Sequence, residues 1–462
     1  MTDARIDLLI KNGLVLTFSP DALTGAIIPG GGVAIAGDAI VAVGDGAELA
    51  KKYAPAKTID AAGKIVMPGF IVTHSHMPYV LGHNMPVDFS QLRDFWDMLQ
   101  KMGWEWLEDI TTQEGVYAAT RYAAVKMLKS GTTTVCELVE GPNALPGVLL
   151  ASARAMEETG IRAQLGYEVT ERVPGEHILK SASPANAARG LEENIAFFQR
   201  YPKGGGRIEG RLGLHTAFTN SRATMEKARQ VADQYGVGIQ THIAEIPRAF
   251  VVEKHGMSAP RILEETGVLG PDVIAAHCID LTDEDVEILA RNKVNIAHTP
   301  MTNSFGGNGV ARVPYMMEKG LNITLGHDDF FTLDISEYLR YTFLLHKAHN
   351  ANAGLLPVFQ VLDMALGNAA RALGLEKQIG SLAAGKKADI LIINPDSPTP
   401  VAPCSVLSFF DMTFQGRQVE TVIVDGRIVV EKGRSTQVDE DETRLACQEQ
   451  ARLLWRKAGA MI

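Results

Sequence analysis

The sequence has few cysteines, no long apolar run and no excess of basic residues. Its four cysteines are scattered without C-x-x-C spacing, and Cys136 and Cys278 lie in apolar strand patterns, so we expect both to be buried free thiols. The first residues lack the basic-then-apolar pattern of a signal peptide, and no apolar stretch is long enough to span a bilayer. We therefore expect a cytoplasmic protein in a reducing compartment, with no membrane partner.

The net charge of the chain argues against binding to nucleic acid or to an anionic membrane. The formal net charge is -10, which disfavours nucleic acid and anionic membranes as main partners. Charged residues make up 21% and hydrophobic residues 46% of the chain, values that are ordinary for a globular protein. The length of 462 residues predicts one large domain and a smaller one. As partners we expect a small-molecule substrate and further copies of the same chain in a homo-oligomer.

The segment from Pro68 to His76 is the strongest local signal. Pro68-Gly69 marks the start of an apolar run from Phe70 to Val72, which is typical of a strand buried on both faces. His74 and His76 follow at i and i+2, so their side chains point to the same face. Neutral imidazole is a good ligand for zinc and iron. Two ordinary polar residues at a strand end would show the same pattern, so the interpretation depends on further ligands.

Strands and helices alternate through the middle of the chain. Helix-length segments at 114–130, 185–199, 223–235 and 283–291 separate the apolar strand candidates. The eight candidate strands end near His76, Glu137, Glu168, His215, His242, His277, His298 and Asp328. Eight strand-helix repeats predict an α/β fold of the (β/α)₈ TIM-barrel type, in which functional residues gather at the carboxyl ends of the strands.

Short strands characterise both ends of the chain. The patterns predict strands at 6–10, 13–18, 32–35 and 40–43, a turn and strand within 379–393, a hairpin of 419–424 and 427–431 around Asp425-Gly426, and a tail helix at 440–457. We therefore predict a small β-sandwich domain built from residues 1–67 and 378–462, and a barrel domain of residues 68–377. The last barrel helix is expected at about 355–373.

A long insertion, residues 77–112, follows the first barrel strand. It is rich in large aromatic side chains, which fits either a lid or binding loop or an aromatic satellite core over the barrel mouth. For most of the rings, a place in an aromatic satellite core explains the sequence at least as well as a role in a lid or binding loop. His83 and Trp104 are retained as candidates for substrate contact.

Three later strand ends supply further candidate ligands. His242 ends the fifth strand and Glu245 follows three residues later, His277 ends the sixth strand, and Asp328 ends the eighth. Three imidazoles and one carboxylate leave an open position for water, as catalytic metal sites do. Glu245 is placed to act as an acid or base beside them.

These motifs resemble the amidohydrolase superfamily, in the branch that holds cytosine and guanine deaminases, triazine hydrolases and S-adenosylhomocysteine deaminases. The resemblance covers nearly the whole chain and includes Gly-Ser-Leu-Ala-Ala-Gly-Lys-Lys-Ala-Asp-Ile-Leu near residue 380. It implies that one divalent metal ion is bound by four residues: His74, His76, His242 and Asp328. Zinc is favoured for this ion, and iron is the alternative that the sequence leaves open. The resemblance also implies that protons are handled by three residues: Glu245, His277 and Asp328. His215 stands where binuclear relatives carry a bridging lysine, so a single ion is expected and His215 is expected to contact the substrate.

The implied reaction is release of ammonia from a purine, a pterin or a similar N-heterocycle by metal-activated hydroxide. Glu245 would protonate the ring nitrogen, His277 would stabilise the developing oxyanion, and Asp328 would pass a proton to the leaving ammonia. The alternatives are a dechlorinase, a triazine amine hydrolase or a cyclic-amide hydrolase that uses the same site. A non-enzymatic relative is a remote alternative, because such a protein should have lost the ligands.

Several residues depart from the family pattern or have no assigned role. His327 and Asp329 flank Asp328 in place of the usual Thr or Ser and a common Gly, and the segment after the seventh strand reads His298-Thr299-Pro300. These changes leave the substrate and the roles of His298, His327 and Asp329 open. Two further residues, Glu168 and Arg172, either contact the substrate or form an internal ion pair. Two histidines, His346 and His349, are interpreted as structural residues on a helix away from the strand ends.

Overall fold

Two nine-stranded sheets organise the chain, one built from both chain ends and one parallel sheet between them. The computed structural model describes residues 4–18, 26–176, 181–329 and 331–459. Within these ranges, no helix combines the length and the apolar character that crossing a bilayer requires. All four cysteines are free thiols, and the predicted burial of Cys136 and Cys278 is confirmed.

The N-terminal part contributes five strands to the first sheet, the one built from both chain ends, and it also contains one helix. They are β1 (Ala4–Leu16), β2 (Ile27–Ala36), β3 (Ala39–Asp45), α1 (Gly46–Lys52), β4 (Tyr53–Asp60) and β5 (Ile65–Pro68). The two strands predicted at 6–10 and 13–18 are one strand with an irregular register between Ile10 and Gly13, where Asn12 has a φ of 64°. The prediction also missed α1, whose first turn is capped by the Asp45 carboxylate.

The parallel sheet is the predicted barrel. Its strands are β6 (Phe70–Ser75), β7 (Thr132–Val139), β8 (Arg162–Val169), β9 (Ile208–Gly210), β10 (Leu212–Thr216), β11 (Ile239–Ile243), β12 (Val273–His277), β13 (Asn295–His298) and β14 (Asn322–Leu325). Eight of them follow one another in chain order from β6 to β14, and the short β9 pairs with β8 at the side. The strands end within three residues of the predicted positions, and the (β/α)₈ prediction is confirmed.

The barrel closes between β14 and β6 through a seam of side chains. Among the described residues no backbone ladder joins these two strands. The hydroxyls of Thr73 and Thr324 lie 2.7 Å apart, and Thr73 donates to the carbonyl of Leu325 at 2.9 Å. The N–H of His327 donates to the carbonyl of His74 at 2.8 Å. The geometry at this seam therefore depends on a few specific hydrogen bonds.

Thirteen helices accompany the barrel strands in the described ranges. They are α2 (Phe95–Met98), α3 (Gln113–Ser130), α4 (Val148–Thr159), α5 (Pro184–Arg200), α6 (Arg222–Tyr235), α7 (Ala249–His255), α8 (Ala259–Glu265), α9 (Asp283–Arg291), α10 (Pro300–Phe305), α11 (Val313–Glu318), α12 (Ile335–His349), α13 (Val358–Met364) and α14 (Gly367–Ala372). The predicted helices are found as α3, α5, α6 and α9, each within one residue at both ends. The single helix expected at 355–373 is instead split into α13 and α14, because Leu366 has a non-helical backbone with φ -130° and ψ -98°.

The C-terminal part completes the first sheet. It supplies β15 (Ile390–Ile393), α15 (Val406–Met412), β16 (Val419–Val424), β17 (Arg427–Glu431), β18 (Arg434–Ser435) and α16 (Glu440–Lys457). β15 pairs with β5, so the two chain ends share one sheet, and side chains from both ends form a common apolar core. The predicted sheet built from both chain ends, the hairpin and the tail helix are confirmed. The domain boundaries at 67/68 and 377/378 stay a prediction.

The insertion after β6 contains short helical segments and packs against the tail helix. Besides α2 it forms 3₁₀ helices at Met77–Gly82 and Phe89–Gln91 and a π-helical segment at Leu99–Glu108. Trp104 is buried in the main apolar core. Trp455 of α16 donates its indole N–H to the carbonyl of Leu81 at 2.6 Å. These contacts support the satellite-core interpretation for this part of the insertion.

Candidate metal and active site

Five of the six residues expected to carry the chemistry, all except Glu245, lie together at or just after the carboxyl ends of the barrel strands. His74 belongs to β6 and His76 follows it, His242 lies in β11, His277 ends β12, and Asp328 follows β14. All five side chains are buried. The ring centroids of neighbouring imidazoles are 4.7 to 5.7 Å apart. Parallel strands in chain order bring these distant sequence positions to one point.

The spacing of the candidate ligand atoms fits a metal ion. Nε2 of His76 lies 3.2 Å from Nε2 of His242 and 3.4 Å from Oδ1 of Asp328. Nε2 of His74 lies 3.0 Å from the same Asp328 oxygen. In a tetrahedral site with metal–nitrogen distances of about 2.1 Å, ligand atoms are about 3.4 Å apart. Three nitrogens and one oxygen therefore surround a space of the size that a divalent ion needs.

The tautomers of two rings support the same interpretation. Nδ1 of His76 lies 2.9 Å from the carbonyl of Leu138, and Nδ1 of His242 lies 3.0 Å from the carbonyl of His215. Because a carbonyl can only accept a hydrogen bond, each Nδ1 carries a proton. If the two rings are neutral, each Nε2 then carries a lone pair, and the two Nε2 atoms face each other. Although burial opposes it, the negative charge of Glu140 raises the pKa of His76 well above the ordinary histidine value, so either a proton on His76 or a metal ion can relieve the repulsion of these two atoms, 3.2 Å apart. Carbonyls behind Nδ1 are also the usual support of ligating histidines. The donor set is that of a divalent-metal site.

Glu245 and His277 form a second functional pair beside these donors. Oε1 of Glu245 is 3.4 Å from Nε2 of His277. Nδ1 of His277 donates to Oδ1 of Asn303 at 3.0 Å, and Thr299 Oγ1 lies 2.9 Å from the same nitrogen. With its proton on Nδ1, a neutral His277 presents only an acceptor at Nε2. Stabilisation of an oxyanion by this ring, as predicted, therefore requires a second proton on it.

The protonation of this pair follows from its surroundings. Burial, reinforced by the negative charge of Asp328, raises the pKa of Glu245 well above the ordinary glutamate value. Burial also lowers the pKa of His277 to about 4. His277 is therefore neutral at neutral pH, and burial favours the protonated form of Glu245. This is the state in which Glu245 can act as an acid.

Backbone conformation marks the same region. His277 has a φ of 70° and Asp328 a φ of 65°, in the left-handed region that non-glycine residues rarely occupy. Such conformations cost on the order of 1–3 kcal/mol each and are concentrated at functional sites. His277 and Asp328 are thus two of the residues expected to transfer protons or bind the ion, and both have this backbone conformation.

His215 and Glu168 lie behind the candidate ligands. Nε2 of His215 is 3.6 Å and Nδ1 of His242 is 3.4 Å from Oε1 of Glu168. Nδ1 of His215 is 2.7 Å from the hydroxyl of Thr219, and its ring centroid is 5.9 Å from that of Trp104. Burial lowers the pKa of His215 well below the ordinary histidine value, so the ring is neutral. The predicted substrate contacts of His215, Glu168 and Trp104 stay predictions.

Arg172 forms an internal ion pair, but with other carboxylates than Glu168. Its guanidinium lies 3.0 Å from Glu108 and 2.8 Å from Asp109, and stacks over the ring of Trp104 at 4.7 Å. All of these groups are buried. The ion-pair alternative therefore describes the contacts of Arg172 in this structure.

Two further predicted residues have defined partners. Nε2 of His83, on a half-buried ring, donates to the carbonyl of Asp329 at 2.7 Å. His346 does not lie away from the strand ends as predicted, because its Nε2 is 3.1 Å from Nε2 of His298, the last residue of β13. The turn of α12 that carries His346 faces the barrel, whereas His349 is exposed.

The sequence analysis missed an acidic group next to the ligands. One carboxylate oxygen from each of Glu108, Glu140 and Glu168 lies within 4.8 Å of the others, and Glu140 also accepts from Nδ1 of His76. Burial, opposed by Arg172 and reinforced by Glu140, raises the pKa of Glu108 to about 7. Glu140 follows the end of β7, a position where a polar residue could have been recognised as a site candidate. Glu108 lies in the insertion and gave no such signal.

A cavity opens beside His242 and Glu245. Its volume is only about 20 Å³, and its walls include the apolar side chains of Phe218, Ile246 and Leu281 and the charged side chain of Arg248. This is room for about one water molecule. The acid and one candidate ligand therefore border a small pocket that would have to widen to admit a heterocycle.

Known proteins share both the sequence and the fold. The amidohydrolase family profile matches residues 65–429. The chain is 34% identical over 457 residues to a 5'-deoxyadenosine deaminase of Methanosarcina acetivorans, covering 96% of this chain and 98% of that protein. It is 31% identical over 460 residues to a 5-methylthioadenosine/S-adenosylhomocysteine deaminase of Caldanaerobacter subterraneus subsp. tengcongensis, covering 98% and 99%. The zinc-bound crystal structure of an adenosine deaminase from Xanthomonas campestris superposes with a TM-score of 0.83, at 23% identity and 98% and 99% coverage. This last likeness concerns the fold.

Proposed function

This chain belongs to the amidohydrolase family, and on that basis we propose that it releases ammonia from an aminopurine nucleoside in a metal-dependent reaction. Deaminases of this family are hydrolases that act on carbon–nitrogen bonds. The observation that carries the proposal is the arrangement of His76, His242 and Asp328 around one space, with the acid Glu245 nearby. The relatives and the geometry support it together.

We assign one zinc ion per chain to His74, His76, His242 and Asp328. The ion would supply Lewis-acid activation of water at neutral pH. His215 stands where binuclear relatives carry a bridging lysine, which supports a single ion, although Glu168, His215 and His242 also bring donor atoms within 4.8 Å of one another.

We assign the proton transfers to Glu245 and Asp328. Glu245, whose protonated form is favoured by burial, donates its proton to the ring nitrogen next to the amino-bearing carbon, which limits negative charge on the ring during attack. The carboxylate of Asp328 accepts one proton from the attacking water and passes it to the departing ammonia. The second proton of the water returns to Glu245 as the carbonyl forms, so both carboxyl groups recover their starting states. His277 lies 3.4 Å from Glu245 and can accept a hydrogen bond from its carboxyl group.

The relatives narrow the substrate class. Two proteins that match this chain over almost their whole length are named as deaminases of adenine nucleosides altered at the 5' position. We therefore propose that this chain removes the 6-amino group of such a nucleoside.

A substrate panel tests the proposal. The zinc-loaded protein is mixed separately with 5'-deoxyadenosine, 5'-methylthioadenosine, S-adenosylhomocysteine, guanine, a pterin, a chlorotriazine and a cyclic amide, and ammonia is measured. We expect ammonia, and the ultraviolet change from adenine to hypoxanthine, with at least one adenine nucleoside. Chloride release from the triazine, or ring opening of the cyclic amide, with no ammonia from any nucleoside would favour the alternative hydrolases.

A further inference from the structure

The side chain of Asp329 connects the two strands that carry three of the candidate ligands. Its Oδ2 accepts hydrogen bonds from the hydroxyl of Ser75 and from the backbone N–H of His76, the latter at 3.0 Å. Asp329 is completely buried and directly follows Asp328 in the chain. Asp329 therefore helps to fix the position of His76 relative to Asp328, together with the hydrogen bond from His327 N–H to the His74 carbonyl.

The backbone of β6 needs these acceptors. Ser75 is the last paired residue of the strand, opposite Glu137, after a shift in register from Val72. Beyond it the N–H groups of His76 and Met77 have left the ladder, and buried N–H groups require an acceptor. Asp329 accepts from His76, and Oε1 of Glu137 accepts from Met77 at 2.9 Å. Carboxylates thus replace the backbone carbonyls where the two imidazoles are presented.

Asp329 is also held from the insertion. Its carbonyl accepts from Nε2 of His83 at 2.7 Å. Within the described residues its Oδ1 accepts no hydrogen bond, and Nδ1 of His327 is 3.6 Å away, beyond hydrogen-bond distance. The ring of His327 stacks on Tyr338 with 4.0 Å between the centroids. Oδ2, with its two donors, is therefore the oxygen that ties this carboxylate to β6.

The contact between Asp329 and β6 lies at a point where few other bonds hold the two strands together. β6 and β14 meet at the seam of the barrel, where the described residues form no backbone ladder. The distances of 3.0 and 3.4 Å from Asp328 to the two imidazoles are measured across this seam. A contact that links the strands within one residue of both ligands controls those distances more directly than packing further away.

We propose that Asp329 is a positioning residue that sets the spacing between the β6 imidazoles and Asp328, and thereby the affinity of the divalent-metal site. This proposal rests on the proposed function, because it requires that the site binds a divalent ion. Asp329 acts through the ligands and does not touch the reacting atoms. A residue with a purely structural role would change the stability of the fold and leave the affinity for the ion unchanged.

Two substitutions isolate the side chain. Asp329→Gly removes the acceptor without backbone strain, because glycine accepts the φ of 49° at this position. Asp329→Asn keeps an oxygen that can accept from Ser75 and His76. The matched control is Thr159→Val, which removes a buried hydrogen bond at the end of α4, away from the seam.

Zinc affinity is measured for each protein by competition with a chelator, together with the melting temperature of the metal-free form. We expect Asp329→Gly to bind zinc about 10- to 100-fold more weakly, the usual effect of losing a group that supports a ligand. Asp329→Asn should retain most of the affinity, and Thr159→Val should lose stability only. If Asp329→Gly does not fold, Ser75→Ala, which removes one donor to the carboxylate, must also weaken zinc binding.

The outcomes separate the two proposals. Zinc affinity of Asp329→Gly equal to that of the wild type, or an Asp329→Asn variant as weak as Asp329→Gly, would overturn the positioning role. Unchanged affinity in Ser75→Ala, where the glycine variant fails to fold, would do the same. A wild-type protein that binds zinc but releases no ammonia would refute the proposed reaction, while the affinity series would still decide the role of Asp329. A wild-type protein that binds no zinc would overturn both.

Discussion

Replacement of Glu245 by glutamine is the sharpest test of the proton transfers. The amide keeps the size of the side chain and its place beside His277, 3.4 Å away, but has no acidic proton. Because Glu245 is not among the candidate ligands, the variant should bind as much zinc as the wild type. General acid catalysis is typically worth about 10²–10⁴-fold in rate. This corresponds to about 3–5 kcal/mol of transition-state free energy.

The pH dependence of the same variant carries a second expectation. Since the pKa of Glu245 is raised in the folded state, the folded protein binds more protons than the unfolded chain above the ordinary value of 4.5. Stability should therefore fall as pH rises from about 4.5 through the raised pKa, and the rate should fall as Glu245 loses its proton. Glu245→Gln should lose the contribution of this group to both, so its melting temperature should change less over this range, while other buried carboxyl groups such as Glu108 keep theirs.

The assay compares three proteins at several pH values. Ammonia release, zinc content and melting temperature are measured for the wild type, Glu245→Gln and Glu253→Gln, in which an exposed glutamate on α7 is changed as a control. We expect only Glu245→Gln to lose turnover. Wild-type turnover in Glu245→Gln, or loss of zinc from it, would refute the role of Glu245 as a proton donor that is not a ligand.

Three further predictions concern the ion and the residues around it. His242→Ala should lose both zinc and activity, and elemental analysis of the wild type should give about one ion per chain; two ions would contradict the single-ion site. His215→Ala should keep zinc, because its backbone carbonyl still accepts from His242, but should lower kcat/KM; unchanged kinetics would remove His215 from the substrate site. Arg172→Met leaves Glu108 and Asp109 buried without their cation and should cost about 3–5 kcal/mol of unfolding free energy in urea, whereas full stability with a raised KM would show that Arg172 mainly binds substrate.

The sequence contained enough information to predict the barrel and the candidate ligands. Alternation of apolar strands with helix-length segments predicts β6 to β14, and the carboxyl ends of parallel strands must meet at one side of a barrel. His74, His242 and Asp328 were therefore expected to lie together although 254 residues separate the first from the last. Local periodicity and one general rule of topology were sufficient.

The surroundings of these residues required the structure. Glu108 reaches the site through the packing of an insertion that has no repeating pattern. Leu366 interrupts a helix through its backbone angles alone. Contacts such as His298 with His346, or Asp329 with Ser75, join residues of different elements, and no periodicity in the sequence reports them. Side-chain partners across elements depend on tertiary packing, which spacing along one chain does not encode.

The most direct measurement is ammonia release by the protein before and after removal of its ion. The wild type is treated with a chelator, and portions are assayed with 5'-deoxyadenosine and 5'-methylthioadenosine without metal and after addition of zinc. We expect no ammonia from the metal-free protein, and release of one ammonia per nucleoside converted once the site that includes His242 and Asp328 is filled. Ammonia release that is independent of the ion, or a zinc-loaded protein that deaminates no heterocycle of the panel, would contradict a metal-dependent deaminase.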